Sequence, residues 1–145
     1  MPPRTREIPQ GVLLDTHIWI QLQSGSPSLS NLALQAINLA TSRRSVYVPL
    51  ISVWEIAMLT MKKRLQFDRP VRQWVTEALD KPGIQLLPLS SEIAIDAAEL
   101  PEPMHKDPAD RMIVASARVE RLTLITCDRP MLAFAKATGL ACIEG

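Results

Sequence analysis

Apolar residues along this chain follow two rhythms that alternate: short unbroken runs, and longer stretches in which they recur every three to four positions. Val12 to Leu14 read as a buried strand ending on a charge at Asp15, and Thr16 to Leu22 as the helix into which it turns. The break GSPS, Gly25 to Ser28, precedes a second helix over Leu29 to Ala40, in which Leu32, Ala33, Ala36, Ile37 and Ala40 recur at helical spacing. Val46 to Val48, closed by Pro49, predict a second strand, and Ile51 to Lys63 a helix that runs into the basic cluster Lys62, Lys63 and Arg64. Pro70 is expected in the first turn of the next helix, which carries Val71, Trp74, Val75 and Leu79 and is terminated by Pro82 and Gly83. Beyond it come a strand over Ile84 to Leu87 and a helix capped by Ser90 and Ser91. A further helix runs from Asp107 to about Arg121, followed by a strand over Thr123 to Thr126, a last helix over Met131 to Thr138, and a fifth strand over Leu140 to Ile143.

Short apolar strands alternating with helices predict an α/β fold, a five-stranded parallel sheet with helices on both faces. In such a sheet the strand C-terminal ends and the helix N-termini gather along one edge, where ligands bind. Four acids are expected on that edge. Asp15 ends the first strand, Glu55 lies in the first turn of the helix after the second, Asp110 opens the helix feeding the fourth, and Asp128 follows that strand.

Helix capping accounts for part of this pattern. In HKDPADRMIVASA, His105 to Ala117, Asp107 suits the N-cap, Pro108 the first helical position and Asp110 the third, each acid contributing about 1 kcal/mol. Ser52 and Glu55 have the S-x-x-E spacing of a capping box. Glu55, however, is the only charge between Ile51 and Met61, on a helix apolar nearly all round and therefore expected to be largely buried. A buried carboxylate needs a partner, which a cation or an arginine such as Arg111 would supply.

Composition narrows the chemistry. The 145 residues with 47% hydrophobic content suit one domain with a substantial core, over 11–145, preceded by a Pro-rich tail, residues 1–10, that is expected to be mobile. A net charge of +1 gives no global basic field, so any nucleic-acid contact must be local. Cys127 and Cys142 lack metal-ligand spacing and suit buried thiols in a reducing cytoplasm, and no apolar run predicts a signal peptide or a membrane span. The expectation is a cytoplasmic protein with no membrane partner. Four converging carboxylates without matching cations repel one another and favour a hard divalent cation, Mg2+ or Mn2+. His17 and His105 read as isolated surface or packing residues.

The segments LLDTHIWI, SVWEIA, HKDPADRMIVASA and LITCDRPM, in that order, resemble the PIN-domain family, in particular the VapC-type toxins of bacterial toxin–antitoxin pairs, over about residues 11 to 143. The resemblance implies a metal-dependent ribonuclease. It places Asp15, Glu55 and Asp110 at the three core acids and Asp128 at the fourth, where a water-mediated role is expected. Asp107 matches an additional acid of the DP-x-DR form, and Thr126 a hydroxyl two positions before the last acid; by its chemistry Thr126 is a candidate to orient Asp15 or a metal-bound water, and equally a β-branched residue that merely ends its strand. An N-terminal extension and Met131, standing where an aromatic residue is often found, are the departures. An RNA substrate, a cognate antitoxin and a homodimer are the implied partners, with the apolar helix around Trp54, Met58 and Met61 as a docking candidate.

Substrate phosphates need further cations, for which Arg43, Arg44, Lys62, Lys63, Arg64 and Arg111 are candidates. Trp19, Trp54 and Trp74 are candidates for base stacking, although core packing is the commoner use of such residues. Two other classes compete: a non-catalytic interaction domain whose acids are caps only, and a phospho-receiver module. The receiver needs an acidic pair after its first strand and a lysine near its last, whereas Asp15 stands alone and no lysine lies between Cys127 and Ala135.

Overall fold

The structure is a computed structural model that describes residues 11–25 and 28–145. The expected mobile tail, residues 1–10, lies outside the described residues, as do two positions of the GSPS break. Among the described residues the order is β1 (Val12–Leu14), α1 (Thr16–Gln23), α2 (Asn31–Ser42), β2 (Val46–Pro49), α3 (Leu50–Met61), α4 (Val71–Leu79), β3 (Ile84–Leu87), α5 (Ser91–Ala98), α6 (Pro108–Glu120), β4 (Thr123–Thr126), α7 (Arg129–Thr138) and β5 (Cys142–Glu144).

The five strands form one sheet in the order β3-β2-β1-β4-β5, and every neighbouring pair is parallel. Because successive strand residues point to opposite faces, the apolar runs feed two cores at once. Val12, Leu14, Val46, Val48 and Ile125 pack with Ile18 and Trp19 of α1, Ala33 and Ile37 of α2 and Ala78 of α4. Leu13 and Leu124 face the other way, onto Ile113, Val114 and Ala117 of α6 and Met131 and Phe134 of α7. Helix α5 lies outside this second layer, with Ile93 and Ala97 against Ala115. Gly83 turns the chain from α4 into β3 at φ +82, and a Cβ there would meet the Thr41 backbone at 2.8 Å, so both the conformation and the space call for glycine.

Several element boundaries differ from the expected ones, among them the second helix, which runs Asn31–Ser42 because Ser30 caps it, and four others with a local reason. Helix α7 starts at Arg129 because Asp128 caps it, Oδ2 accepting from the Met131 N–H, with Pro130 in the first turn. Strand β5 starts at Cys142 because the Leu140 N–H is spent on the Ala135 carbonyl, closing the turn at Gly139 (φ 78). Pro70 is the cap residue of α4 with an extended ψ of 146, and does not belong to its first turn. Helix α3 starts at Leu50, with Pro49 at the N-cap making no side-chain bond.

That shift in α3 overturns two expectations. Ser52 is not a cap and Glu55 falls in the second turn, so there is no capping box. The helix is also not largely buried: only Ser52 and Ile56 are, while Leu50 is 42%, Trp54 55% and Met61 84% exposed. Its outward apolar face has no cover within the described residues. The expectation of buried thiols fails at Cys127, which is exposed just past the end of β4, while Cys142 is half-buried; both are free. Among the described residues no helix is long and apolar enough to cross a membrane.

Candidate metal centre

Strands β1 and β4 are neighbours at the point where the sheet order reverses, and an acid follows each of them. Asp15, 5% exposed, caps α1: Oδ1 accepts from the Thr16 N–H (2.7 Å), and Oδ2 accepts from the Thr126 hydroxyl (2.6 Å). The Thr126 Oγ1 in turn accepts from the Asp128 N–H (2.9 Å). Thr126, the last residue of β4, thereby fixes the spacing between Asp15 and Asp128. Burial pushes the Asp15 carboxyl above its usual range, and the bonds from Thr126 and Thr16 oppose the rise by stabilising the anion.

Thr16 also reaches the third acid. Its hydroxyl donates to Glu55 Oε1 (2.5 Å), and Ser52 Oγ lies 2.7 Å from the same Thr16 oxygen. A hydroxyl has one proton, so with Thr16 giving its own to Glu55, Ser52 is the donor in a chain that runs Ser52 to Thr16 to Glu55. Ser52 is fully buried and Thr16 nearly so, which holds the chain in place by packing between α1 and α3. Desolvation raises the Glu55 pKa; the Thr16 bond lowers it, and the charges of Asp15 and Asp107 raise it.

Asp107 and Asp110 stand at the start of α6 in the arrangement expected from the sequence. Asp107 is the N-cap, its Oδ1 accepting from the Asp110 N–H (3.1 Å), with Pro108 following. Asp107 is exposed and committed to the cap. Asp110 is different: its carboxyl is pushed up from the usual 3.8 to about 8, first by desolvation and then by the charges of Asp107, Asp15, Asp128 and Glu55. The four acids anticipated on one edge are therefore brought within electrostatic reach of one another.

The donors are carboxylate oxygens, their charges are mutually repulsive, and the arginine offered as an alternative partner is elsewhere. The Arg111 guanidinium donates to four carbonyls, those of Ala97 (2.9 Å), His105 (3.1 Å), Ala98 (3.3 Å) and Leu100 (3.4 Å). It clamps the loop before α6 and does not pair with Glu55. A set of carboxylates with unneutralised charge fits a hard divalent cation.

A family model described as "PIN domain" matches residues 12–138, from the start of β1 to the end of α7. The chain belongs to the PIN domain family. It is 33% identical over 118 residues to Ribonuclease VapC22 of Mycobacterium tuberculosis (strain ATCC 25618 / H37Rv), covering 81% of this chain and 87% of that protein. A toxin–antitoxin complex from Klebsiella pneumoniae contains a chain that is 27% identical with a TM-score of 0.59, over 92% of this chain and 96% of that one. VapBC2 from Rickettsia felis, bound to a DNA fragment from their promoter, superposes with a TM-score of 0.65 over 92% of this chain and 97% of that one. At 15% identity, this last likeness speaks for the fold alone.

Within this PIN domain one residue at the cluster was missed by sequence reasoning. His105, expected to be isolated, brings Nε2 to 3.1 Å from Asp110 Oδ2 and 3.6 Å from Asp128 Oδ2. No periodicity signals it, since its place over the first turn of α6 is set by how the loop before that helix folds back. The candidate cations also sort differently. Arg43 and Arg44 end α2 at the opposite edge of the sheet, and Lys62 to Arg64 follow α3 about 10 Å along its axis from Glu55. Lys106 and Arg129, next in sequence to His105 and Asp128, are exposed beside the acids of the PIN site. Trp19 is fully buried and packs edge-on against Trp74 (5.2 Å), which stacks on Phe67 (4.3 Å), so these two are core residues. Trp54 is exposed on the uncovered face of α3.

Proposed function

We propose that this PIN domain is the ribonuclease toxin of a toxin–antitoxin pair, cleaving RNA phosphodiester bonds with Mg2+ or Mn2+ held by Asp15, Glu55, Asp110 and Asp128. The observation that carries the metal reading is Glu55. Asp15, Asp107 and Asp128 are N-caps and Asp110 lies in a first turn, but Glu55 caps nothing; a dedicated chain of two buried side chains holds it toward Asp15. An interaction domain with capping acids gives no reason for that chain.

When bound, a divalent ion at such a site activates water for attack on phosphorus and offsets the charge that develops on the phosphate and leaving oxygens. The protein's own part is positioning. Thr126 and the Thr16 amide keep Asp15 oriented with both oxygens engaged, and the Thr16 hydroxyl does the same for Glu55. Asp128 accepts at one oxygen from the helix it caps, which leaves the other available for water held at the site. Lys106 and Arg129 supply positive charge beside the acids to draw a polyanion toward them.

The antitoxin reading is supported by the uncovered apolar face of α3 and by a groove of about 350 Å³ between α3 and α4, lined by Val53, Ala57, Val71 and Val75. We assign that face to the apolar segment of a partner protein, and a homodimer to the remaining exposed apolar positions. The test of the enzymatic reading is incubation of the purified chain with a mixed RNA pool in Mn2+ or Mg2+. Metal-dependent fragmentation, stopped by chelation, is the expected result; intact RNA under all conditions would refute it.

A further inference from the structure

The atom His105 Nε2 is buried and close to two carboxylates, yet it is aligned for a hydrogen bond with neither. Its proton can be placed. The Asp107 amide donates to Nδ1 (3.3 Å), and because an amide N–H can only donate, Nδ1 holds the lone pair and the neutral ring carries its proton on Nε2. A nitrogen in that state cannot ligate a metal, since ligation needs its lone pair. Mg2+ contacts oxygen at about 2.0–2.1 Å, shorter than either gap from Nε2. A cation held between Asp110 and Asp128 therefore needs the wedge into which the imidazole N–H now projects.

The backbone beneath the ring is fixed while the ring is not. Arg111 donates to the His105 carbonyl and to three more carbonyls, those of Ala97, Ala98 and Leu100, so the loop is clamped. The His105 side chain is 30% exposed, which leaves it a path outward by rotation about its own bonds. Its misaligned contact with two oxygens is weak enough to yield, where a square hydrogen bond would compete harder.

We infer that His105 is a placeholder: its Nε2–H occupies the wedge between the carboxylates of Asp110 and Asp128 while no divalent cation is bound, and swings out when a cation takes that space. The inference rests on the metal-dependent reading of the site and makes His105 a positioning residue. Arg111 acquires a function with it, since its clamp limits the exchange to a side-chain rotation.

The experiment is calorimetric titration of Mn2+ into chelator-stripped full chain, as wild type, His105→Ala and His105→Gln, at one pH, with the Tm of each metal-free protein. His105→Ala is expected to lower the metal-free Tm and to tighten Mn2+ binding by about twofold, the low end of the range to which one displaced hydrogen bond converts, because the contact it removes is misaligned. His105→Gln keeps a donor and falls between the two. Weaker Mn2+ binding by His105→Ala would make the imidazole a ligand and overturn the inference. Equal binding by all three proteins would overturn it too, while leaving the metal site intact. No Mn2+ binding by any of them would overturn the metal reading itself. If His105→Ala does not fold, His105→Gln decides by the same comparison with wild type.

Discussion

In the metal-free protein Asp110→Asn should stabilise the fold at alkaline pH, although it removes a charge from the first turn of a helix. Desolvation and four neighbouring carboxylates raise Asp110 from 3.8 to about 8, so the folded state binds a proton more tightly than the unfolded chain does. Stability from this group is fully present below about pH 4 and is lost as pH rises towards 8. At pH 8 the cost has an upper limit of about 5 kcal/mol. Solvent reaches the side chain, which is 21% exposed, and screens much of that, leaving an expected gain of about 1–3 kcal/mol for the asparagine protein. Against it stands the lost interaction of an acid with the α6 dipole, about 0.3–1 kcal/mol. The net, at most about 2.7 kcal/mol, corresponds for a domain of this length to a rise of up to roughly 10 °C in Tm. Thermal melts of wild type and Asp110→Asn from pH 5 to pH 8.5, with chelator throughout, read it directly. The wild-type Tm should fall across that range and the Asp110→Asn Tm much less, the two curves parting above neutrality. Parallel curves, or a variant less stable at pH 8, would mean that Asp110 is an ordinary cap in no repulsive cluster.

Millimolar Mn2+ should raise the wild-type Tm, since a hundredfold excess over Kd adds about 2.7 kcal/mol, and Asp15→Asn should abolish the rise; equal shifts in both would remove Asp15 from the site. Thr16→Val should weaken Mn2+ binding and RNA cleavage together by breaking the bond to Glu55, while Thr16→Ser restores both; failure of the serine to rescue would assign Thr16 a packing role only. Trp54→Lys, on the uncovered face of α3, should change stability by no more than about 0.5 kcal/mol and leave RNA cleavage intact, yet prevent co-purification with a co-expressed antitoxin; retained capture would move the partner surface elsewhere.

Much of the fold was legible because its signals are local. A run such as Val12 to Leu14 followed by Asp15, or Asp107 before Pro108, carries strand, cap and helix start within a few residues, and all five strands lie where the apolar runs do. The α3 boundary was misread because S-x-x-E has the spacing of a capping box whether or not Ser52 is at a cap, and only the packing of α3 against α1 turns Ser52 toward Thr16. The same limit hid His105 and Arg111. Their partners are set by how the loop before α6 folds back, which no periodicity encodes. The burial of α3 was overestimated because an apolar helix states that something covers it without stating that the cover belongs to the same chain.

The central claim, that these carboxylates hold a catalytic metal and are not merely caps, meets its most direct test at Glu55, which caps nothing. Glu55→Gln keeps the shape and an acceptor for the Thr16 hydroxyl and loses only the charge. The measurement is cleavage of the mixed RNA pool in Mn2+ by purified wild type and Glu55→Gln of matched helix content. The account predicts that the variant's cleavage falls by orders of magnitude; cleavage at the wild-type rate would contradict it.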